Sequence, residues 1–132
     1  MSPLGPLVAF LGCTDLERAR EFYVETVGLV LVDQVPSACV FNVHGTMLRV
    51  TKVAEAPRAG HTVLGWDVID IAEAMSDLRE RGVEFRRYEE LDQDDDGVWT
   101  TPRGDRVAWF EDPDGNVLSL AQFAPPQDPS AE

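Results

Sequence analysis

The apolar residues of this chain follow two spacings, which together predict short strands and two helices. Short runs rich in Val, Leu and aromatic residues, bounded by Gly, Pro and Asp, predict β-strands. Two segments instead repeat apolar residues along one helix face, with charged residues on the other face. Helices are expected over 15–27 and 71–81, and strands over 7–13, 29–35, 38–43, 46–53, 62–68, 107–111 and 117–123.

Both predicted helices have recognisable ends. Thr14 followed by Glu17 has the form of a capping box, with Thr14 as the N-cap. Asp70 and Glu73 offer a similar pair ahead of the second helix. A glycine stands where each helix should end, because glycine tolerates the left-handed conformation of the C′ position. These glycines are Gly28 and Gly82.

The landmarks recur in one order, which predicts a duplicated βαβββ unit. Asp15 and Asp70 are 55 residues apart, and the two helix-ending glycines are 54 apart. The turn glycines Gly45 and Gly115 are 70 apart, because the second unit has a longer loop. We predict one domain over 1–124, with units at about 6–53 and 61–123, and a flexible tail over 125–132.

Charge and composition limit the classes of molecule that this protein is expected to bind. The 132 residues give a formal net charge of -13, which repels nucleic acid phosphates and anionic membranes and would attract a cationic small molecule. No apolar run approaches the ~20 residues of a membrane span. The N-terminal segment does not resemble a secretory signal, so we expect a cytoplasmic protein. Cys13 and Cys39 lack metal-site spacing and are expected to be small buried hydrophobes.

The longer loop of the second unit, 88–104, contains an acidic run. Asp92–Gly97 matches the first six positions of an EF-hand calcium loop. The twelfth position, which should be Glu, is Arg103, and no flanking helices are predicted. We therefore expect a solvated acidic loop at the rim of the site.

Three further sequence features accompany the duplicated unit: the Phe22-Tyr23 pair, the Val27-Gly28-Leu29 helix end and the run Phe110–Asn116. With the βαβββ repeat, they resemble the vicinal oxygen chelate superfamily, which includes glyoxalase I, extradiol dioxygenases and bleomycin-resistance proteins. The resemblance implies an α+β fold, in which tandem βαβββ units form a curled mixed sheet around a cavity with the helices outside.

The resemblance also implies where a metal would be bound. Counting from the helix starts and the turn glycines, the family's ligand positions are occupied by Val8, Arg49, Val63 and Ser119. Valine has no donor atom, serine is a poor ligand and arginine is a permanent cation. We expect no metal and no other cofactor. The only histidines, His44 and His61, are expected at the surface.

Strand alternation and the family's hairpin register give a mixed set of inward side chains. Phe10 and Trp109 would be aromatic walls, with Trp109 opposite Ser119, while Phe41 could point either way. The candidate ligand-binding residues are Phe10, Phe41, Arg49, Asp67, Trp109, Glu111 and Ser119. In the alternative, the aromatic residues fill a core and Arg49 pairs with Asp67 or Glu111.

The function expected from these residues is metal-independent binding of a small molecule, cationic or aromatic, by a homodimer, similar to bleomycin-resistance sequestration or metabolite binding. We expect binding rather than catalysis. Two alternatives remain open: a glyoxalase or dioxygenase type metalloenzyme, and a metal-free isomerase or lyase in which Arg49 stabilises an oxyanion and Glu111 or Asp67 is the base.

Overall fold

The computed structural model describes residues 3–56 and 58–125. The order strand, helix and three strands occurs twice along the chain. The elements are β1 (Val8–Cys13), α1 (Leu16–Glu21), β2 (Val30–Val35), β3 (Ala38–Val43), β4 (Thr46–Lys52), β5 (Thr62–Asp67), α2 (Ile71–Glu80), β6 (Trp99–Thr100), β7 (Arg106–Glu111) and β8 (Val117–Gln122).

The strands form two four-stranded sheets, which confirms the predicted α+β class. The first sheet has the order β1-β4-β3-β2, and the second has the order β5-β8-β7-β6. The first is mixed, because β1 runs parallel to β4 while the other neighbours are antiparallel. Neither helix in the described part of the chain has the length and apolar character needed to cross a membrane.

The chain divides into two compact units that are not continuous in sequence. The first comprises the residues up to Val63 together with Glu111–Val117, and the second comprises Leu64–Phe110 and the residues from Leu118 onward. The turn between β7 and β8 therefore belongs to the first unit. The tail predicted for 125–132 lies outside the described residues beyond Pro125.

The first helix begins one residue later than the capping box predicts. Asp15 is the N-cap, and its carboxylate accepts a hydrogen bond from the Arg18 N–H at 3.1 Å. The predicted N-cap, Thr14, instead donates its hydroxyl hydrogen to Asp114 at 2.7 Å. The prediction for Thr14 was wrong because a partner 100 residues away competes for that side chain. Asp70 caps α2 as predicted, accepting from the Glu73 N–H at 3.2 Å.

A π-helical turn, Phe22–Thr26, follows α1 and was not predicted by the apolar spacing. The Val27 N–H donates to the Phe22 carbonyl at 3.0 Å, and Gly28 ends the turn with φ 87°. Such turns insert a residue into the helical ladder and often lie at functional sites. Here Tyr23 is fully buried within the turn, with its ring centroid 5.9 Å from that of Phe41.

The core of the first unit lies on the helix side of its sheet. Leu48 is the register partner of Phe41, and Val50 is that of Cys39, and all four are buried. The Cys39 thiol lies 3.7 Å from the Leu16 carbonyl oxygen of α1. Cys13 and Cys39 are free and buried, as predicted. Burial, with the nearby Asp114 carboxylate, raises the pKa of the Cys13 thiol to about 11, so this thiol stays protonated at neutral pH.

A buried polar network ties the β7–β8 turn to the π-helical turn and to β1. The Tyr23 hydroxyl donates to Asp112 Oδ2 at 2.7 Å. The Asn116 amide donates to the same oxygen at 2.7 Å and to the Gly12 carbonyl at 3.0 Å. Asp112 Oδ1 accepts from the backbone N–H groups of Asp114 and Asn116, each at 2.9 Å. A buried carboxylate is tolerated because four donors satisfy it.

The second unit buries one side of α2 and one side of its hairpin. Ile71 and Met75 are buried on α2, and Ala108, Phe110 and Leu118 are buried on β7 and β8. The Ile71 N–H donates to the Gln122 side chain at 2.9 Å, which joins the start of α2 to β8. The two-residue strand β6, within the loop predicted over 88–104, was not predicted because it is too short to show alternation.

Removing the Tyr23 hydroxyl should destabilise the protein and change its alkaline unfolding. Tyr23→Phe loses a hydrogen bond to a buried charged group, so we expect the free energy of unfolding in urea at pH 7 to fall by about 1.5–3 kcal/mol.

The pH dependence follows from the Tyr23 pKa, which burial and the adjacent Asp112 carboxylate raise well above its ordinary value. Below about pH 10, the tyrosine value in unfolded chains, both states hold the proton. Above it the unfolded state loses the proton first, so wild-type stability should fall as pH rises. Tyr23→Phe should lose less stability than wild type between pH 9 and 11, measured by urea unfolding at each pH. Equal slopes for wild type and Tyr23→Phe would contradict the buried network.

Candidate functional site

The face of the first sheet opposite α1 is largely apolar and open. The register places Val8, Met47, Asn42 and Val30 in one row across the four strands. The next row contains Phe10, Arg49, Val40 and Asp33. Several of these apolar side chains are exposed, with Phe10 at 65%, Val30 at 63% and Met47 at 42% of their full area. This open face is the first candidate binding surface.

Arg49 is the basic residue in the middle of this face. It is half-buried, with the exposed Phe10 as its partner on β1 and the buried Val40 as its partner on β3. Phe41, for which either direction was left open, lies in the helix-side core against Tyr23. The structure therefore groups Phe10 with Arg49 and separates Phe41 from them.

The positions that the resemblance assigns to a metal fall in two pairs, one on each sheet, but their side chains do not fit a metal. Val8 shares the open face with Arg49, and Ser119 lies beside Gly65, two residues along β5 from Val63. Two hydrocarbon side chains, a hydroxyl and a guanidinium offer no set of nitrogen and carboxylate donors. Within residues 3–56 and 58–125, no group of three or more His, Cys, Asp or Glu is arranged to hold a metal ion.

The histidines do not supply the missing donors. His44 is exposed in the β3–β4 turn, where its φ is 48°. His61 is exposed ahead of β5, and its Nδ1 lies 3.0 Å from the Ala59 carbonyl oxygen. Both therefore occupy surface positions.

The second sheet presents aromatic rings on the face opposite its buried hairpin residues. Ala108 and Phe110 are buried, so strand alternation puts Val107, Trp109 and Glu111 on the other face. Trp99 pairs with Val107 and shares that face. The Trp99 and Trp109 rings are stacked with centroids 6.2 Å apart, and the Tyr88 ring meets Trp109 edge-on at 5.5 Å. We call Tyr88, Trp99 and Trp109 the aromatic cluster.

Sequence reasoning found Trp109 but missed its two neighbours in the cluster. Tyr88 and Trp99 lie at the two ends of the acidic loop segment, where no strand periodicity indicates a direction. Composition is the one sequence feature that could have indicated these two residues. Aromatic residues stand at both ends of the segment 88–99, which has six carboxylates and no basic residue. Their contact with Trp109 follows from the backbone path of the loop.

Ser119 and Gly65 lie in close contact on neighbouring strands. Ser119 is buried, and a methyl group added at Gly65 would lie 2.5 Å from its hydroxyl oxygen. Asp67, two residues further along β5, is exposed, and Glu111 is half-buried on β7. The assignment of these two carboxylates as ligand-binding residues stays a prediction.

The acidic loop does not have the arrangement of a calcium loop. Asp94 Oδ1 accepts from the N–H groups of Asp96 and Val98, each at 2.9 Å, so this carboxylate caps its own turn. The backbone hydrogen bond from Val98 is the largest cause of the lowered pKa of Asp94. The carboxylate that would bind calcium instead stabilises the loop.

The close contact at Gly65 gives a direct test of this face. Gly65→Ala should lower the free energy of unfolding by roughly 1–3 kcal/mol, because the new methyl overlaps the Ser119 hydroxyl. Adding Ser119→Ala should restore most of the loss, since the remaining Ser119 Cβ would be 3.9 Å away. Gly5→Ala, with no atom within 4 Å, is the control and should be neutral in urea unfolding. A neutral Gly65→Ala would show that Ser119 does not face Gly65.

Comparison with solved structures finds close matches over nearly the whole chain. TnmS3, an antibiotic binding protein from Streptomyces sp. CB03234, is 29% identical, with a TM-score of 0.71 over 94% of this chain and 99% of that one. A Glyoxalase/bleomycin resistance protein/dioxygenase superfamily member from Sphaerobacter thermophilus DSM 20745 is 27% identical, with a TM-score of 0.69 over 91% and 98%.

Lactoylglutathione lyase from Agrobacterium tumefaciens has a TM-score of 0.70 over 92% of this chain and 95% of that one. Its identity is 17%, so this likeness shows the fold alone. A search of curated proteins found no significant match.

A family model matches residues 5–120, which is most of the chain. That range contains the Asp112–Asn116 turn and both βαβββ successions except the last two residues of β8. The chain therefore belongs to the Glyoxalase/Bleomycin resistance protein/Dioxygenase superfamily.

Proposed function

We propose that this protein binds a small organic molecule without a metal ion and without chemical conversion of the ligand. The observation on which this depends is the set of side chains at the family's metal positions, Val8, Arg49, Val63 and Ser119. These side chains cannot assemble a divalent metal site. Val8 and Arg49 lie on the open face of the first sheet with the exposed Phe10 and Met47, which suits binding by contact rather than by coordination.

The comparisons support an antibiotic-like ligand for this proposal. TnmS3 is described as an antibiotic binding protein, and it matches at 29% identity over 94% of this chain. Antibiotic sequestration is therefore the first function to test, and binding of a metabolite of similar size is the alternative. For a metal-dependent glyoxalase or dioxygenase, the side chains at the four positions lack the donor atoms that would bind the metal. A metal-free isomerase or lyase would need Glu111 or Asp67 as base, and no observation favours either.

Arg49 is proposed as the polar anchor of the ligand. Its guanidinium lies between Phe10 and Val40 in the sheet register, so a bound molecule would contact apolar side chains and one cation together. An oxygen-bearing group on an aromatic ligand matches this combination, because Arg donates in a planar fork.

We also propose that the protein is a homodimer in which a second copy covers part of the open face of the first sheet. Exposed apolar patches of this kind are uncommon on monomers. Phe10 and Val30, each more than half exposed, provide the apolar contacts.

The two free, buried cysteines agree with the reducing cytoplasm that the sequence predicts.

Ligand binding should appear as thermal stabilisation by at least one member of a panel of aromatic antibiotics, with bleomycin included. A ligand at 100 times its Kd adds about 2.7 kcal/mol to the folded state, which corresponds to a Tm rise of roughly 10 °C. Arg49→Ala should weaken the binding of that ligand by about tenfold or more, as expected for a lost hydrogen bond to a charged group.

Arg20→Ala, an exposed arginine on α1, is the control and should bind normally. No Tm shift with any compound, or an Arg49→Ala protein with full affinity, would contradict the proposal. Formation or cleavage of lactoylglutathione by the purified protein would support the enzyme alternative instead.

The dimer should dissociate when a charge is placed on the open face. Light scattering after size exclusion should give twice the 14.6 kDa chain mass for wild type and one chain mass for Phe10→Asp. Ile69→Asp, at a position that is 98% exposed outside the sheets, should remain dimeric. A monomeric wild type at micromolar concentration would rule out the dimer.

A further inference from the structure

The loop between α2 and β7 is organised around one side chain, Gln93. Its Oε1 accepts from the Tyr88 N–H at 2.7 Å, and its Nε2 donates to the carbonyls of Arg86 and Gly97 at 3.0 and 2.7 Å. The amide oxygen of Gln93 and both of its N–H groups therefore have hydrogen-bond partners. The side chain joins the two arms of the loop, 86–88 and 97–99.

These hydrogen bonds fix the outer rings of the aromatic cluster relative to Trp109. The Arg86 N–H donates to the Trp109 carbonyl at 2.7 Å, which holds the first arm, and hence Tyr88, alongside β7. On the second arm, Gln93 forms an isolated antiparallel bridge with Trp99. Gly97, with φ 96°, makes the turn that brings Trp99 back towards β7.

The resulting cluster has the features of a stacking surface for a ligand. All three rings are only partly buried, and the stacked pair and the edge-on ring are held by backbone contacts. Aromatic faces attract cations as well as other rings. Six exposed carboxylates lie between residues 88 and 99. Arginines from outside this run also reach it, since Arg79 donates to the Asp96 carbonyl, Arg87 donates to those of Gln93 and Asp94, and Arg106 lies near Asp94. The carboxylates outnumber these three cations, which favours a positively charged partner.

We propose that Tyr88, Trp99 and Trp109 bind a planar aromatic cation, and that Gln93 is the positioning residue that holds the two outer rings in place. This inference rests on the proposed small-molecule function and names the class of ligand for the second sheet, whereas the role proposed for Arg49, on the first sheet, concerns an oxygen-bearing ligand. It also assigns a role to the loop that distinguishes the second unit from the first. The rings contact the ligand, and Gln93 acts only through Tyr88 and Trp99.

The test uses two planar tricyclic probes of opposite charge, proflavine and anthraquinone-2-sulfonate, with wild-type full-length protein. Binding is measured by equilibrium dialysis and by quenching of tryptophan fluorescence. We expect one proflavine per chain, bound at least tenfold more tightly than the anionic probe. Equal binding of the two probes, or no saturable binding of proflavine, would overturn the inference.

Substitutions separate ring stacking from general attraction to the net charge of -13. Trp99→Leu leaves that charge unchanged and should weaken proflavine binding by roughly 5- to 100-fold, the range for loss of one stacking ring. Tyr88→Leu keeps the backbone bond to Gln93 and should weaken binding as well. Full proflavine affinity in Trp99→Leu would show that the dye binds elsewhere, which contradicts the assignment.

Gln93→Ala tests the positioning role, because it removes no ring. We expect weaker proflavine binding together with a reduced near-ultraviolet circular dichroism signal from the stacked tryptophans, while the far-ultraviolet spectrum is unchanged. Gln34→Ala, an exposed glutamine on β2, is the control and should change neither. If Gln93→Ala has the wild-type near-ultraviolet dichroism and the wild-type affinity for proflavine, Gln93 does not position the rings.

The outcomes also separate this inference from the proposed function. If an antibiotic stabilises the protein in an Arg49-dependent manner, but Trp99→Leu leaves the affinities for that antibiotic and for proflavine unchanged, the aromatic cluster is not the site and the proposed function stands. If neither antibiotics nor proflavine bind wild-type protein, both are wrong.

Discussion

The hydrogen bond from the Tyr23 hydroxyl to Asp112 is the interaction on which the first unit depends. It joins a residue of the π-helical turn to a residue 89 positions later, and both side chains are buried. Asn116 extends the contact to the Gly12 carbonyl of β1. The turn that links β7 and β8 is thereby joined to β1 within the first unit. Two of the three sequence features that resemble the family, the Phe-Tyr pair and the Asp-Pro-Asp-Gly-Asn run, contain the two partners of this bond.

The backbone positions of the candidate site and the chemistry of the side chains at those positions are two different matters in this protein. The family's ligand positions keep their place, because Val8 and Arg49 share one face of the first sheet while Val63 and Ser119 belong to neighbouring strands of the second. Their side chains are hydrocarbon, hydroxyl and guanidinium groups, which do not match the donors that a divalent metal requires. Membership of the superfamily therefore fixes the backbone geometry, and the proposed binding function comes from the side chains on it.

Much of the fold was predictable because local patterns determine it. The strand β3 follows from its short run of apolar residues, and the turn at His44-Gly45 follows from a glycine with positive φ. The errors arise where partners distant in the sequence determine the position of a side chain. Thr14 was predicted as an N-cap, but Asp114 takes its hydroxyl, and Asp15 caps the helix instead. Trp99 was missed because its position depends on Gln93 and on the loop's hydrogen bonds, which have no periodic signature. Trp109 was found because it lies on a regular strand.

Metal independence is the central claim, and ligand affinity measured with and without a chelator tests it most directly. Protein purified without chelator would be analysed for Mn, Fe, Co, Ni, Cu and Zn, and its ligand affinity measured before and after dialysis against EDTA. We predict substoichiometric metal and the same affinity in both states. One equivalent of a divalent metal per chain, with affinity lost on chelation and restored by that metal, would contradict it.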